Sequence, residues 1–386
     1  MASFLMNVGV TLASVIAPLA ELADEKKGAY TSFAVGIGGI TNGSKAQTDG
    51  SVPHLAFWDG NDARISQYKG ESKGHWSAEQ EYAKVVSNDQ AVPKGQQAQP
   101  EYIYAVANEN DSLCIAYVYA TGNGAQYAWY GDSGFTCGAD WYPSDWKVGA
   151  GVHTPKCVWI DADHSNKLRY KGFSLHLPDF GGEQGKVDEY NKTLDTLCKS
   201  DARMEFWENI LPDDIIPFFH PPLVYNDDGS DVDPNKVINK SKPHKRSSVG
   251  ASRLSKRNGL LHPGHLVISH LESHSAKEVC ESETSMGPDF VSTTEGVFCD
   301  MEQKEWWYLC SSEIADGCFD LGTQSMVSNG TIAYITGAIT ATGATNATAL
   351  TSRGHSHMPL KNFRRWDTAT GRLILEKSYT TSKTWN

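Results

Sequence analysis

The sequence predicts a mainly β protein: antiparallel sheets of sandwich or barrel-like type in two disulfide-linked halves, with a few short helices. Three observations predict it. Runs of β-branched and aromatic residues recur between turn signals along a chain that carries 35 glycines. Eight cysteines fall four and four on either side of a polar, basic stretch. Helical periodicity is confined to one short region.

The elements follow in order. Residues 1–28 open with an apolar run, Phe4 to Leu19, short enough for a signal-peptide core, and Ala17, Ala20 and Ala23 supply small residues near its end. No Lys or Arg precedes that core and Pro18 blocks cleavage after Ala17, so an uncleaved apolar helix competes with the signal reading. Residues 29–225 form the expected β-rich N-terminal domain. Ser32 to Ile40 alternates, Pro53 to Trp58 ends in the turn dipeptide Asp59-Gly60, and Ser112 to Ala120 is β-branched and aromatic. Gly122-Asn-Gly124 then leads into Tyr127 to Tyr130, which together read as a hairpin. Val187, Tyr190, Leu194 and Leu197 recur at helical spacing. Ser200 is read as the cap of a second helix through Met204, Trp207 and Leu211, stopped by Pro212. Residues 226–258, acidic and then basic with few apolar positions, read as a linker. Residues 259–386 form the cysteine-containing, β-rich C-terminal domain. There Leu266 to Ser269 and Thr331 to Thr340 look like strands, 341–351 is low in complexity, and Leu373 to Leu375 closes the chain.

The cysteines are Cys114, Cys137, Cys157 and Cys198 in the first half, and Cys280, Cys299, Cys310 and Cys318 in the second. None sits in a CxxC pair, which argues against a zinc ribbon or a thioredoxin site. Two bridges in each half are expected. Short loops favour Cys280–Cys299 and Cys310–Cys318, whereas the pairing of the first four stays open. Six sequons, at Asn42, Asn110, Asn191, Asn239, Asn329 and Asn346, agree with a location in the secretory pathway or outside the cell. Lys245-Arg246 and Lys256-Arg257 could be processing sites or an ordinary solvated basic loop. A net charge of −12 argues against a nucleic-acid partner. No further stretch reaches the length of a membrane span.

Complete catalytic motifs are missing. Asp161, Asp163 and Asn166 begin like a calcium loop, but Asn166 and Gly172 occupy the positions where an EF-hand needs Gly and Glu. A turn that hydrogen-bonds its own backbone is the expectation. The acidic loop from Asp227 to Asn235 reads as solvated. Histidines gather at His262/His265/His270/His274, at His355/His357 and at His220, without an HExxH pairing, and no metal is expected. No GxSxG elbow, GxGxxG turn or phosphate loop occurs, so no cofactor is expected either. Most of the eleven tryptophans are expected in the core. Arg353, His355 and His357, followed by Phe363 and Trp366, form the best mixture of cation, imidazole and aromatic ring, and mark the place to look for a pocket.

Gly287-Pro-Asp-Phe-Val-Ser, Glu295-Gly-Val-Phe-Cys299-Asp-Met, Trp306-Trp-Tyr-Leu-Cys310 and Cys318-Phe-Asp-Leu resemble a cysteine module of secreted filamentous-fungal proteins. Cys137-Gly-Ala-Asp-Trp-Tyr-Pro-Ser and Cys157-Val-Trp-Ile-Asp-Ala-Asp likewise resemble an uncharacterised fungal family. Proteins of this make-up include the hetero-Diels–Alderases of tropolone–sesquiterpenoid pathways. That resemblance implies a cofactor-independent pocket enzyme joining a tropolone o-quinone methide to a humulene-type sesquiterpene. Arg353 or His355 would then assist departure of hydroxide, while Trp306, Trp307 and Trp366, with His357 and Phe363, would hold a small apolar or aromatic substrate. The alternative is a non-enzymatic secreted protein that binds glycans or a partner through exposed aromatic rings.

Overall fold

A computed structural model describes residues 30–39, 41–42, 45–46, 48–90, 98–149, 153–238, 259, 261–328, 363–367, 372–375 and 379–386. The chain divides into two compact units, residues 1–249 with 283–286, and residues 250–282 with 287–386.

The first unit runs through β1 (Tyr30–Ile37), β2 (Thr41–Asn42), β3 (Lys45–Ala46), β4 (Gly50–Ser51), β5 (His54–Trp58), β6 (Arg64–Tyr68), β7 (His75–Trp76) and β8 (Glu81–Ser87). It continues through β9 (Tyr102–Val106), β10 (Leu113–Gly122), β11 (Ala125–Tyr130), β12 (Trp141–Tyr142), β13 (Cys157–Ile160), β14 (Gly172–His176) and β15 (Met204–Trp207). Among the described residues three short α-helices intervene: α1 (Gly131–Thr136), α2 (Gln184–Lys192) and α3 (Asp195–Cys198). One antiparallel sheet has the order β12-β13-β10-β1-β8, with β11 also paired to β10, and a second has the order β15-β14-β9-β5-β6. Neither sheet closes into a barrel among the described residues.

Alternation decides which side chains meet between the sheets. Phe33, Val35, Val118, Trp129 and Val158 face inward from the first sheet, and Leu55, Phe57, Ile103, Phe173 and Leu175 from the second. Trp129 stacks on Phe173 at 4.8 Å between ring centroids, and Phe33 meets Phe57 at 5.6 Å. The expected hairpin is present: Gly122 pairs with Ala125, and Asn123 and Gly124 take the positive φ values, 49° and 84°, that a two-residue loop requires. On the outer side of β1, Gly36 lies beneath the ring of Tyr117, where a Cβ would come within 2.1 Å of a ring carbon. Two bridges fasten this unit. Cys114–Cys157 joins β10 to β13, and Cys137–Cys198 joins the end of α1 to α3.

The second unit holds β16 (His265–Ser269), α4 (Ala276–Glu281), β17 (Asp289–Ser292), β18 (Val297–Asp300), β19 (Glu305–Tyr308), β20 (Cys318–Asp320) and β21 (Ser325–Ser328). After these come β22 (Phe363–Asp367), β23 (Arg372–Leu375) and β24 (Thr381–Trp385). Its five-stranded sheet, β19-β18-β17-β16-β24, is mixed, because β16 runs parallel to both β17 and β24. A parallel neighbour needs a crossover, and α4 lies in the connection between β16 and β17. β20, β21, β23 and β22 form a further antiparallel sheet. The bridges Cys280–Cys299 and Cys310–Cys318 are the two that loop length favours.

Two local readings change. The helix expected from Ser200 through Leu211 is instead the edge strand β15, hydrogen-bonded to β14. Met204 and Phe206 enter or flank the core while Leu211 is exposed, so tertiary pairing overrides a spacing that fitted both periods. The acidic loop 227–235 is not simply solvated, because Asp231 is buried within it. The helical reading from Val187 to Leu197 holds, divided between α2 and α3. Tryptophans are mainly core: Trp58, Trp76, Trp129, Trp141, Trp159, Trp306 and Trp385 are all buried. Asn110 and Asn191 are exposed and Asn42 lies on β2, whereas Asn239, Asn329 and Asn346 lie outside the described residues. So do the N-terminal segment, both dibasic pairs and the strand expected at Thr331 to Thr340.

Candidate functional site

Of the residues marked for function, Trp306 and Trp307 are adjacent on β19 and therefore point to opposite faces of its sheet. Trp307 packs inward, 6.1 Å from Phe298 between ring centroids and nearly parallel to it, beside the cluster that holds Phe319. Trp306 faces α4. Ser275 caps that helix by accepting a hydrogen bond from the Glu278 backbone N–H, and Cys280–Cys299 ties the helix to β18. Lys277 and Glu281, one helical turn apart, thereby both reach the indole. The Trp306 Nε1–H donates to Glu281 Oε1 at 3.2 Å, and Lys277 Nζ lies 4.6 Å from the indole centroid.

Tyr308, two residues on, shares the Trp306 face and meets its ring edge-on at 5.4 Å. Lys277 Nζ also lies 5.4 Å from the phenol centroid. Glu295 steadies the other side, 4.0 Å from Lys277 and accepting from Ser275 Oγ at 3.0 Å. Tyr308 is 41% exposed and a third of the Lys277 side chain meets solvent. The result is a surface ledge of one ammonium, one exposed phenol and two carboxylates, set over the buried Trp306 indole. Arg353, His355 and His357 lie outside the described residues. Phe363 and Trp366 lie on β22, where they pair through the backbone with Leu375 and Leu373.

A larger polar constellation in the first unit escaped sequence reading. His176 ends β14, Asp179 follows in a 3-10 turn, Lys186, Glu189 and Tyr190 lie on α2, Arg203 precedes β15, and Tyr225 and Asp231 return on a loop. Arg203 binds Asp179 and Asp231, and donates to the Tyr190 hydroxyl at 2.7 Å. Lys186 binds Asp231, Glu189 at 3.2 Å and Asp179 at 3.5 Å, and His176 Nδ1 lies 2.7 Å from Asp179. Burial alone would raise the Asp179 carboxyl, yet Arg203, His176 and Lys186 hold it well below the usual carboxylate range. Burial raises Glu189 and Tyr190. Cations and carboxylates neutralise one another out of contact with water, which fits a fastening for α2 and the 225–231 loop rather than a place for substrate.

A smaller pair is largely withdrawn from solvent, its side chains 13% and 9% exposed. His153 Nε2 lies 3.0 Å from Asp132 on α1, with Lys156 at 4.0 Å from the same carboxylate and the Tyr130 ring 6.2 Å from the imidazole. Beside Tyr130 on the sheet, Tyr117 binds Glu81 and packs edge-on against Trp146 at 5.3 Å. Burial raises the Glu81 carboxyl. A solitary histidine 21 residues from its aspartate leaves no motif in the sequence. Among the described residues no group of three or more His, Cys, Asp or Glu gathers as a metal site, and no helix is long and apolar enough to cross a membrane. Neither a family model nor a curated protein matches the chain. Fold and bridges thus define a mainly β, sandwich-containing protein with four disulfides.

Proposed function

We propose that the protein is a non-enzymatic, secreted glycan-binding protein, and that the α4–β19 ledge carries the binding surface. The observation behind this reading is Tyr308, the exposed ring of β19, which stands edge-on to the buried Trp306 with Lys277 beside both rings, whereas Trp307 packs part-buried on Phe298. Aromatic faces give a sugar ring a flat apolar contact, and the flanking Lys277, Glu281 and Glu295 offer donors and acceptors for its hydroxyls. Four disulfides and exposed sequons at Asn110 and Asn191 support maturation in the secretory pathway. A glycan array with the full chain, followed by titration of Tyr308→Ala, tests it. The variant should bind the selected glycan about tenfold more weakly with an unchanged melting temperature. An array without a ligand, or an unchanged affinity for the variant, overturns the proposal.

A second reading, a cofactor-independent enzyme of the hetero-Diels–Alder type, draws support from the His153–Asp132 pair. Loss of hydroxide from a hydroxymethyl tropolone needs one held proton donor near aromatic walls, and His153 stands beside Tyr130, with Tyr117 and Trp146 beyond it. Incubation of the protein with a tropolone precursor and humulenol tests this. Product ratios equal to those in buffer reject it.

A further inference from the structure

The turn after β13 brings two carboxylates and a hydroxyl together at alternate positions, Asp161, Asp163 and Ser165. Asp161 is fully buried. Its Oδ2 accepts from Ser165 Oγ at 3.0 Å, while Oδ1, also out of contact with solvent, meets no hydrogen-bond donor. A carboxylate oxygen enclosed without a donor is costly and calls for a positive partner. No Lys, Arg or His forms an ion pair with Asp161 among the described residues. The neighbouring charge is instead another carboxylate: Asp163, exposed, accepts from the Ser165 backbone N–H at 2.9 Å.

We infer that the Asp161–Asp163–Ser165 turn binds a hard divalent cation, calcium before magnesium. Spacing of oxygen donors at alternate residues matches the opening of calcium loops, although the rest of the turn is not an EF-hand. Two carboxylates are few, so backbone carbonyls and water must complete the shell. Affinity in the range of extracellular calcium modules, about 0.1–1 mM, is expected. The cation would neutralise the carboxylate pair and close the connection between β13 and β14.

The test uses the full chain after dialysis against chelator, with calcium chloride and then magnesium chloride as probes at neutral pH. About 10 mM calcium should raise the melting temperature by about 4 °C, and calorimetric titration should show heat of binding. Asp161→Asn, nearly the same shape, and Asp163→Asn, exposed and harmless to packing, should each abolish both responses. A parent protein indifferent to calcium in both measurements overturns the inference and leaves a shared proton as the occupant. An equal response in the parent and both variants also overturns it, because the site then lies elsewhere. A magnesium response as large as that of calcium refutes the stated preference.

Discussion

Arg203→Met is the most informative single perturbation of the fold. The guanidinium is fully buried, binds Asp179 and Asp231, and donates to Tyr190. Methionine fills a comparable length of apolar stem and removes the charge. Asp179 then retains His176 and the longer 3.5 Å contact with Lys186, and Asp231 retains Lys186 alone. Breaking one side of a buried ion pair typically costs about 3–5 kcal/mol, most of it from the carboxylates left behind. A value near 4 kcal/mol corresponds to a fall of about 2 M in the urea midpoint for a unit of this size. Tryptophan fluorescence during urea unfolding at neutral pH reads that shift. The triple variant Arg203→Met/Asp179→Asn/Asp231→Asn should recover a large part of the loss, since it removes the stranded charges as well. A single variant within about 1 kcal/mol of the parent, or a triple variant no more stable than the single one, would refute this account of the network.

Three further outcomes follow from bridges and burial. Removing Cys137–Cys198, which closes a span of 61 residues, should cost about 4 kcal/mol, against about 2.5 kcal/mol for Cys310–Cys318 with its span of 8. Equilibrium unfolding of the paired alanine variants decides, and a reversed order rejects the chain-entropy argument. Alkylation before and after reductant should count no reactive thiols and then eight. His265, buried and bonded to Thr381, has its pKa pushed down to about 4 by burial, with His262 adding to the effect. A group neutral in the fold and protonated when unfolded supplies stability that is present above about pH 6.5 and lost as pH falls through about 4. The second unit should therefore lose about 2 kcal/mol across that window after allowance for solvent screening. His265→Gln should flatten the profile, and a parent protein with no such slope contradicts the assignment.

Local signals were the legible ones. Gly122-Asn-Gly124 announced a hairpin because its turn chemistry is contained in two residues, and two disulfides followed from the brevity of their loops. The apolar spacing from Met204 to Leu211 satisfies a helix as well as an edge strand, and only β14 decides between them. Asp231 looked solvated because an acidic loop gives no sign of the lysine and arginine that meet it 45 and 28 residues earlier in the chain. The separation of Trp306 from Trp307 was in principle readable, since neighbours in a strand always diverge. His153 and Asp132 were not, because neither lies in a patterned stretch. Parallel pairing of β16 with β24, 116 residues apart, likewise leaves no local trace.

That last pairing has a consequence for how the second unit is made. During synthesis, β16 leaves the ribosome long before the segment that will lie along its edge, and Trp385, lodged against His274 and Phe290, must arrive before the interior is filled. Neither nearby cross-link spans the interval, since one closes between 280 and 299 and the other between 310 and 318. A protease nick between β23 and β24 would convert this edge strand into a non-covalent ligand, retained by five ladder positions, the Tyr379 hydroxyl on Asp289 and the Trp385 indole.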